Sequence, residues 1–172
     1  MKPNPTIALR IIACGGTFDK HYDALSGKLG FGTSHLPALL QQARVLPAYE
    51  LSLLPLQDSL DMQDVDCQRV LACCSEVAER ALVIVHGTDT MTDTAAVLSA
   101  ARLAKTIILT GAMIPAEISN SDALFNLGFA CAAALTLPAG VFVAMNGRIF
   151  PANDVQKIRA AGVFAPLTEG SA

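Results

Sequence analysis

Three short segments of this chain place hydroxyl or carboxylate side chains beside glycines or in tight turns: Gly15-Gly16-Thr17, Gln57-Asp58-Ser59-Leu60-Asp61 and Gly87-Thr88-Asp89-Thr90. Two glycines before a threonine let the backbone turn sharply and present the hydroxyl, which is the geometry that a nucleophile needs. Taken alone, each segment is more simply a turn or a helix cap. Convergence of several such turns on one cleft would instead indicate acyl-transfer chemistry at a hydroxyl.

Other chemistries find little support. Gly15-Gly16-Thr17 lacks the third glycine of a dinucleotide fingerprint, and Gly87-Thr88-Asp89-Thr90 lacks the lysine of a phosphate loop. The net charge of −3 and the lack of a basic cluster argue against nucleic-acid binding. Five cysteines form no CxxC pair and three histidines form no spaced ligand pair, so we expect reduced thiols, no metal and no cofactor.

These segments need a framework that brings them together, and the hydrophobic pattern predicts one. The predicted strands are Thr6–Cys14, Tyr49–Leu56, Leu82–His86, Thr106–Thr110 and Gly140–Met145, and the predicted helices are His35–Arg44, Gln63–Ala81, Met91–Leu103 and Ser121–Leu137. Continuous apolar strands joined by helices are typical of an α/β fold with three layers, a mostly parallel sheet flanked by helices. Such a sheet binds its ligand at the carboxyl ends of its strands, where all three segments and Gly111-Ala112-Met113 fall.

The details of two regions are also predicted. Gln63–Ala81 shows the clearest helical face, and Asp61 is its expected N-cap. Residues 154–172 resemble a short, partly ordered tail. With 172 residues, 52% of them hydrophobic, we expect a single domain over residues 1–172.

An uncharged stretch between Asp122 and Arg148 raises the question of a membrane span. Pro138 and Gly140 divide it into a helix and a strand of ordinary length for a buried core. The N-terminal apolar run is too short for a signal sequence. We therefore expect a soluble, cytoplasmic protein without membrane contact.

Five segments, in this order, resemble the bacterial threonine-dependent L-asparaginase family. They are Ile12-Ala13-Cys14-Gly15-Gly16-Thr17, Asp58-Ser59-Leu60-Asp61-Met62, Val85-His86-Gly87-Thr88-Asp89-Thr90-Met91, Thr110-Gly111-Ala112-Met113 and Asn153-Asp154-Val155-Gln156-Lys157. The resemblance covers residues from about 7 to about 160 and implies a short form that has only the N-terminal domain of the family, with its fold. The HGTDTM string after an apolar strand is its most specific element.

The resemblance implies hydrolysis of L-asparagine to L-aspartate and ammonia, with a role for each matching residue. Thr17 corresponds to the nucleophile that becomes acylated, and Gly16 lies beside it at the substrate. Thr88 corresponds to a second essential threonine, Lys157 to a lysine bonded to it, and Asp89 to the carboxylate that binds the substrate ammonium. Ser59 corresponds to the hydroxyl that binds the substrate carboxylate, and the Ala112 backbone to the group that holds the departing amide nitrogen.

The roles of two residues in this set, Lys157 and Tyr22, are left open. Burial favours loss of the Lys157 proton, but a neighbouring Asp89 favours the ammonium, so we assign Lys157 to polarising Thr88 and leave open which threonine it ultimately serves. Without the resemblance, Lys157 would be a surface lysine ahead of the tail. Tyr22 corresponds to a tyrosine on a mobile flap that closes over the substrate, and an ordinary exposed hairpin tyrosine is the alternative.

The second domain of longer family members is expected to be absent, and Leu60 stands where longer members often have a polar residue near the substrate. Fewer polar contacts predict weak substrate affinity with turnover less affected. Two alternatives to L-asparagine hydrolysis stay open: a non-catalytic amino-acid sensor, and hydrolysis of a related amide such as Gln or D-Asn. We also expect a homo-oligomer, a dimer or a dimer of dimers.

Overall fold

The computed structural model describes residues 9–170, and its centre is one six-stranded sheet. The strands of this sheet are β1 (Leu9–Gly15), β4 (Tyr49–Gln57), β5 (Ala81–Val85), β6 (Thr106–Thr110), β7 (Gly140–Met145) and β8 (Arg148–Pro151). Their order is β4-β1-β5-β6-β7-β8. Only β8 within this sheet runs antiparallel to its neighbour. The predicted mostly parallel sheet is confirmed.

The central strands of the sheet are buried because they are apolar on both faces. Every residue of β5 and of β6 is buried, and Ile12 of β1 pairs with Ile84 of β5 in register. Helices α1 (Leu36–Gln42) and α4 (Ala123–Thr136) contribute to the core on one face. Helices α2 (Asp64–Glu76) and α3 (Met91–Ala100) contribute to the core on the other. This is the three-layer arrangement that the hydrophobic pattern predicts.

The strand order fixes where a site is expected. The chain leaves β1 to form β4 on one side and then crosses to form β5 on the other side. The carboxyl ends of β1 and β5 therefore flank the point where the connections diverge, which is where open α/β sheets bind their ligands.

The boundaries of α2 differ from the predicted Gln63–Ala81. The helix ends at Glu76 because Val77 is extended and Ala81 already belongs to β5, where it pairs with Leu9. Asp61 is not the N-cap. Gln63 caps the helix instead, in a reciprocal capping box with Asp66.

The predicted tail is also wrong over residues 154–170. This region forms an antiparallel pair, β9 (Gln156–Ile158) and β10 (Val163–Ala165), followed by a 3₁₀ turn at Leu167–Gly170. Val155 and Phe164 are buried in the core that also contains α2 and α3, which explains why the segment is ordered. Residues 171–172, and residues 6–8 of the predicted first strand, lie outside the described residues.

A second small hairpin follows β1. It consists of β2 (Lys20–Asp23) and β3 (Lys28–Phe31) and is mostly exposed. Asp19, which precedes it, is fully buried and anchors the start of the hairpin. In residues 9–170, no helix has the length and apolar character needed to cross a membrane.

Candidate active site

The loops that follow β1, β4, β5 and β6 meet at the carboxyl edge of the sheet. Glycines allow this approach. A Cβ atom on Gly16, which has φ of 78°, would lie 2.3 Å from the Gly87 Cα, and a Cβ on Gly87 would lie 2.4 Å from the Ser59 Oγ. Real side-chain carbons do not approach so closely, so only glycine fits at both positions. The backbone next to Thr17, the side chain of Ser59 and the backbone next to Thr88 are therefore packed directly against one another.

Thr17 opens a short 3₁₀ turn, Thr17–Asp19, and is half-buried. The next residue, Phe18, is completely buried and holds this turn against the core. Burial raises the pKa of the Asp19 carboxyl, although the Ser34 hydroxyl and the His35 N–H both donate to it. Phe18 and Asp19 thus anchor the turn, while Thr17 stays partly exposed at the edge of the sheet.

Thr88, Lys157 and Asp89 form a hydrogen-bonded cluster. The Lys157 Nζ donates to the Thr88 Oγ1 over 2.7 Å and to the Asp89 Oδ1 over 2.9 Å. Thr88 is 4% exposed and the Lys157 side chain 14% exposed, so the contacts are shielded from bulk water. Arg159 adds a second cation 3.8 Å from the same Asp89 oxygen. Lys157 is therefore not a solvated surface lysine.

The β9–β10 pair positions this lysine. Lys157 lies opposite Phe164 in the ladder, and Phe164 is buried in the core. The predicted role of a lysine bonded to Thr88 is matched by this geometry, while its catalytic function stays a prediction.

The loop after β4 brings Asp58 and Ser59 to the same edge. Ser59 is 1% exposed, and its carbonyl accepts a hydrogen bond from the Thr90 hydroxyl over 2.9 Å. The Lys20 Nζ donates to Asp58 over 2.5 Å and lowers the pKa of that carboxyl, helped by the Leu60 N–H. Lys20 thereby joins the β2–β3 hairpin to this loop.

The loop after β6 is organised by two side chains that the sequence analysis did not select. Asp122 accepts hydrogen bonds from the backbone N–H groups of Met113 and Ile114. Asn126 is completely buried and donates to the Gly111 carbonyl over 3.0 Å and to Asp122 over 2.9 Å. Together they fix the backbone of Ala112, which is 1% exposed.

A sequence signal for this pair exists. Asn126 is a polar residue in the first turn of the apolar α4 segment, and a buried amide needs partners. The contact between Lys20 and Asp58 has no such signal in the sequence, since the two residues are 38 positions apart.

The side chain of His86 holds in place the loop that carries Thr88. It is fully buried, its Nδ1 donates to the Gly87 carbonyl over 2.8 Å, and its Nε2 accepts from the Thr94 hydroxyl over 2.9 Å. Burial lowers the pKa of this imidazole, which favours the neutral ring that these two bonds require.

Tyr22 lies on β2 opposite Leu29, with 58% of its surface exposed. It is thus on an exposed hairpin next to the Thr17 turn, and closure over a substrate stays a prediction.

In the described residues, a group with donors suited to a metal ion lies at the base of this hairpin, formed by His21, His35 and Glu117.

Comparison with known proteins agrees with this arrangement. A family model described as Asparaginase, N-terminal, matches residues 8–165. L-asparaginase 1 of Escherichia coli (strain K12) is 36% identical over 116 residues, which are 64% of this chain and 34% of that protein.

Two solved structures share the fold. The thermostable L-asparaginase from Thermococcus kodakarensis has a TM-score of 0.83 and 27% identity, covering 92% of this chain and 51% of its own. A probable cytoplasmic L-asparaginase from Campylobacter jejuni has a TM-score of 0.79 and 27% identity, covering 92% and 52%. The chain thus spans about a third of the curated relative and about half of each solved chain.

Proposed function

Because the chain belongs to the asparaginase family, through a match to the N-terminal region of that family, we propose that it hydrolyses L-asparagine to L-aspartate and ammonia. The observation that carries the proposal is the Thr88, Lys157 and Asp89 cluster, held against the Thr17 turn by the contact of Gly16 with Gly87. The active site then combines four groups that act on one substrate molecule: the hydroxyls of Thr17 and Thr88, the amine of Lys157 and the carboxylate of Asp89.

The proposed reaction has two steps. In the first, the Thr17 Oγ attacks the side-chain amide carbon, the C–N bond breaks, and the hydroxyl proton leaves with the nitrogen as ammonia. In the second, water attacks the resulting ester, and aspartate is released as the Thr17 hydroxyl reforms. Each half has a lower barrier than direct attack of water on the amide.

Activation of these attacks is assigned to the cluster. A threonine hydroxyl is almost never ionised near neutral pH, so it needs a partner that accepts or relays its proton. Lys157 polarises Thr88 through their 2.7 Å hydrogen bond, and Asp89 keeps the lysine in place. Backbone N–H groups of the glycine-rich loops supply donors for the developing oxyanion.

The substrate head group is zwitterionic, and the edge offers a contact for each charge. Asp89 binds the ammonium, and Ser59 donates to the carboxylate. The Ala112 backbone accepts from the departing amide nitrogen, and Gly16 lies beside Thr17 at the substrate. Tyr22 closes over the substrate from the hairpin.

Ammonia release by the purified full chain tests the proposal. L-Asn, Gln and D-Asn are compared, and turnover is expected to be fastest with L-Asn. Thr17→Ala and Thr88→Val are each expected to reduce turnover about a thousandfold or more. Thr136→Ala is the matched control, because this exposed threonine lies at the end of α4, ahead of the amino end of β7, and should leave turnover unchanged.

The alternative outcomes are distinct. Binding of L-Asn that survives both threonine substitutions, without any ammonia release, would identify an amino-acid sensor. A preference for Gln or D-Asn would retain the chemistry and change the substrate.

The proposal extends to the oligomeric state and the cellular location of the protein. A homo-oligomer, a dimer or dimer of dimers, is supported by exposed apolar side chains such as Phe125, which is 60% exposed on α4. Light scattering of the purified chain tests it. A cytoplasmic location agrees with the description of the Campylobacter jejuni neighbour, and cell fractionation tests it.

A further inference from the structure

Two of the three histidines in the chain meet one carboxylate at the base of the β2–β3 hairpin. The His21 Nδ1 lies 3.2 Å from the Glu117 Oε2, and the His21 and His35 ring centroids are 4.0 Å apart. One ligand atom from each of the three residues lies within 4.8 Å of the others. His21 and Glu117 are 96 positions apart, so no spacing pattern reveals this group, and a metal ion here would overturn the expectation of no metal.

The hydrogen bonds of His21 leave an electrostatic problem. Its Nε2 lies 2.7 Å from the Thr33 carbonyl, which only accepts, so this nitrogen carries the proton. In a neutral ring the Nδ1 then presents a lone pair toward the Glu117 carboxylate, which is also an acceptor. Two acceptors 3.2 Å apart require a positive charge between them, either an additional proton on the ring or a cation.

The outer contacts of all three side chains follow the pattern that metal ligands usually show. The His35 Nε2 faces the Lys20 carbonyl at 3.4 Å, as the His21 Nε2 faces Thr33. The Tyr22 N–H donates to the Glu117 Oε1 and leaves Oε2 for another partner. Histidine ligands usually donate their second N–H to a backbone carbonyl, and ligating carboxylates are held by hydrogen bonds in turn.

The third side chain of the group favours a metal ion over an added proton. One added proton on His21 would satisfy only the contact between His21 and Glu117, whereas a metal ion also engages the His35 ring, whose centroid lies 4.0 Å from that of His21. We propose that His21, His35 and Glu117 bind one divalent transition-metal ion, of which zinc is the representative. Two imidazoles and one carboxylate suit zinc at about 2.0–2.2 Å from each ligand, and water completes a tetrahedral shell.

The site would join three separate parts of the fold. His21 belongs to β2, His35 precedes α1, and Glu117 lies in the loop after β6. A metal ion here holds the base of the hairpin that carries Tyr22, so amide hydrogen exchange in residues 20–31 should slow when the ion binds. Metal binding itself is independent of the proposed amide hydrolysis.

The test uses the purified, untagged and metal-stripped full chain. Isothermal titration with Zn²⁺ is expected to show one equivalent per chain. His21→Gln, His35→Gln and Glu117→Gln are each expected to weaken binding about tenfold or more, since even the loss of an outer contact costs that much. Co²⁺ should give a tetrahedral absorption spectrum without a thiolate charge-transfer band.

Two controls keep the proposal falsifiable. The double variant Cys67→Ser and Cys73→Ser removes two partly exposed thiols and should leave Zn²⁺ binding unchanged. In the unsubstituted chain, Zn²⁺ should shift the imidazole NMR signals of His21 and His35 but not those of buried His86. This measurement does not depend on the folding of any variant. Absence of Zn²⁺ binding, binding that survives all three ligand substitutions, binding lost in the cysteine variant, or unchanged His21 and His35 signals would overturn the proposal.

Discussion

The Lys157 Nζ donates to the Thr88 Oγ1 over 2.7 Å and joins residues 69 positions apart. Thr88 follows the central strand β5 in the loop that begins at His86, and Lys157 lies on the short strand β9. The buried Phe164 opposite Lys157 keeps this strand against the core. The contact thus completes a site at the sheet edge from a segment outside the central sheet.

Lys157→Met should retain the fold and lose activity. Methionine has a similar length and fills the same space, but it removes the donor that polarises Thr88. If the lysine assists proton transfer, the turnover of L-Asn should fall about a hundredfold or more. Ammonia release measures this, and the pH profile of the remaining activity should change as well.

Lys28→Met is the matched control, since Lys28 is an exposed lysine on β3. It should leave turnover unchanged. A Lys157→Met variant with full activity would show that the lysine only supports packing.

Gly87→Ala should destabilise the chain and displace Ser59. The added Cβ would lie 2.4 Å from the Ser59 Oγ and 2.5 Å from its Cβ, which forces a shift of the loop. Overpacking of this kind costs about 1–3 kcal/mol in the free energy of unfolding. Urea unfolding measures the cost, and a higher KM for L-Asn should accompany it.

Gly128→Ala provides the comparison. Gly128 lies in α4, and a Cβ there would meet no atom within 4 Å. Alanine should stabilise that helix by about 0.5–1 kcal/mol. Equal effects of the two substitutions would contradict the close approach of the loops.

Asn126→Leu should damage the loop that carries Ala112. Leucine has a similar volume, but it leaves the Gly111 carbonyl and the Asn146 N–H without their buried partner. An unpaired buried carbonyl costs about 1–3 kcal/mol in the free energy of unfolding, and loss of the bond to the exposed Asn146 adds about 0.5–1.5 kcal/mol. Gln68→Leu, at an exposed position on α2, should change it by no more than about 0.5 kcal/mol. Similar losses in both variants would argue against the network.

His86 predicts a pH dependence of stability below its ordinary pKa of 6.5. The folded pKa is lowered by burial, so the unfolded chain takes up a proton before the folded chain does. The free energy of unfolding should therefore fall as the pH drops below 6.5, by at most about 1.4 kcal/mol per pH unit from this group.

His86→Gln removes that contribution while leaving an amide that can bond to Gly87 and Thr94. Chemical denaturation from about pH 7 to about pH 5, which spans the ordinary histidine pKa of about 6.5, should give a flatter curve for the variant. Parallel curves for the two proteins would show that His86 does not titrate differently in the folded state.

Much of the framework follows from the sequence. The apolar strands, the helices between them and the glycine-rich turns at the strand ends predict the fold, because a buried parallel sheet requires continuous apolar strands. The segments around Thr17, Ser59 and Thr88 also identify the family by resemblance, which the family match over residues 8–165 confirms.

The errors lie where tertiary contacts override local pattern. The helical periodicity from Gln63 continues past Glu76, but pairing of Ala81 with Leu9 ends the helix early. Residues 154–170 look like a tail because β9 and β10 are only three residues each. Packing of Val155 and Phe164 into the core and the bonds of Lys157 to Thr88 and Asp89 hold them in place.

The sequence by itself determined which backbone elements form and which residue types stand at the strand ends, because hydrophobic periodicity and turn chemistry are local properties. The tertiary structure alone decided which of those side chains meet. The bond of Lys157 to Thr88 and the grouping of His21, His35 and Glu117 both join distant segments, and contacts of this kind depend on how the layers pack and leave no regular spacing in the chain.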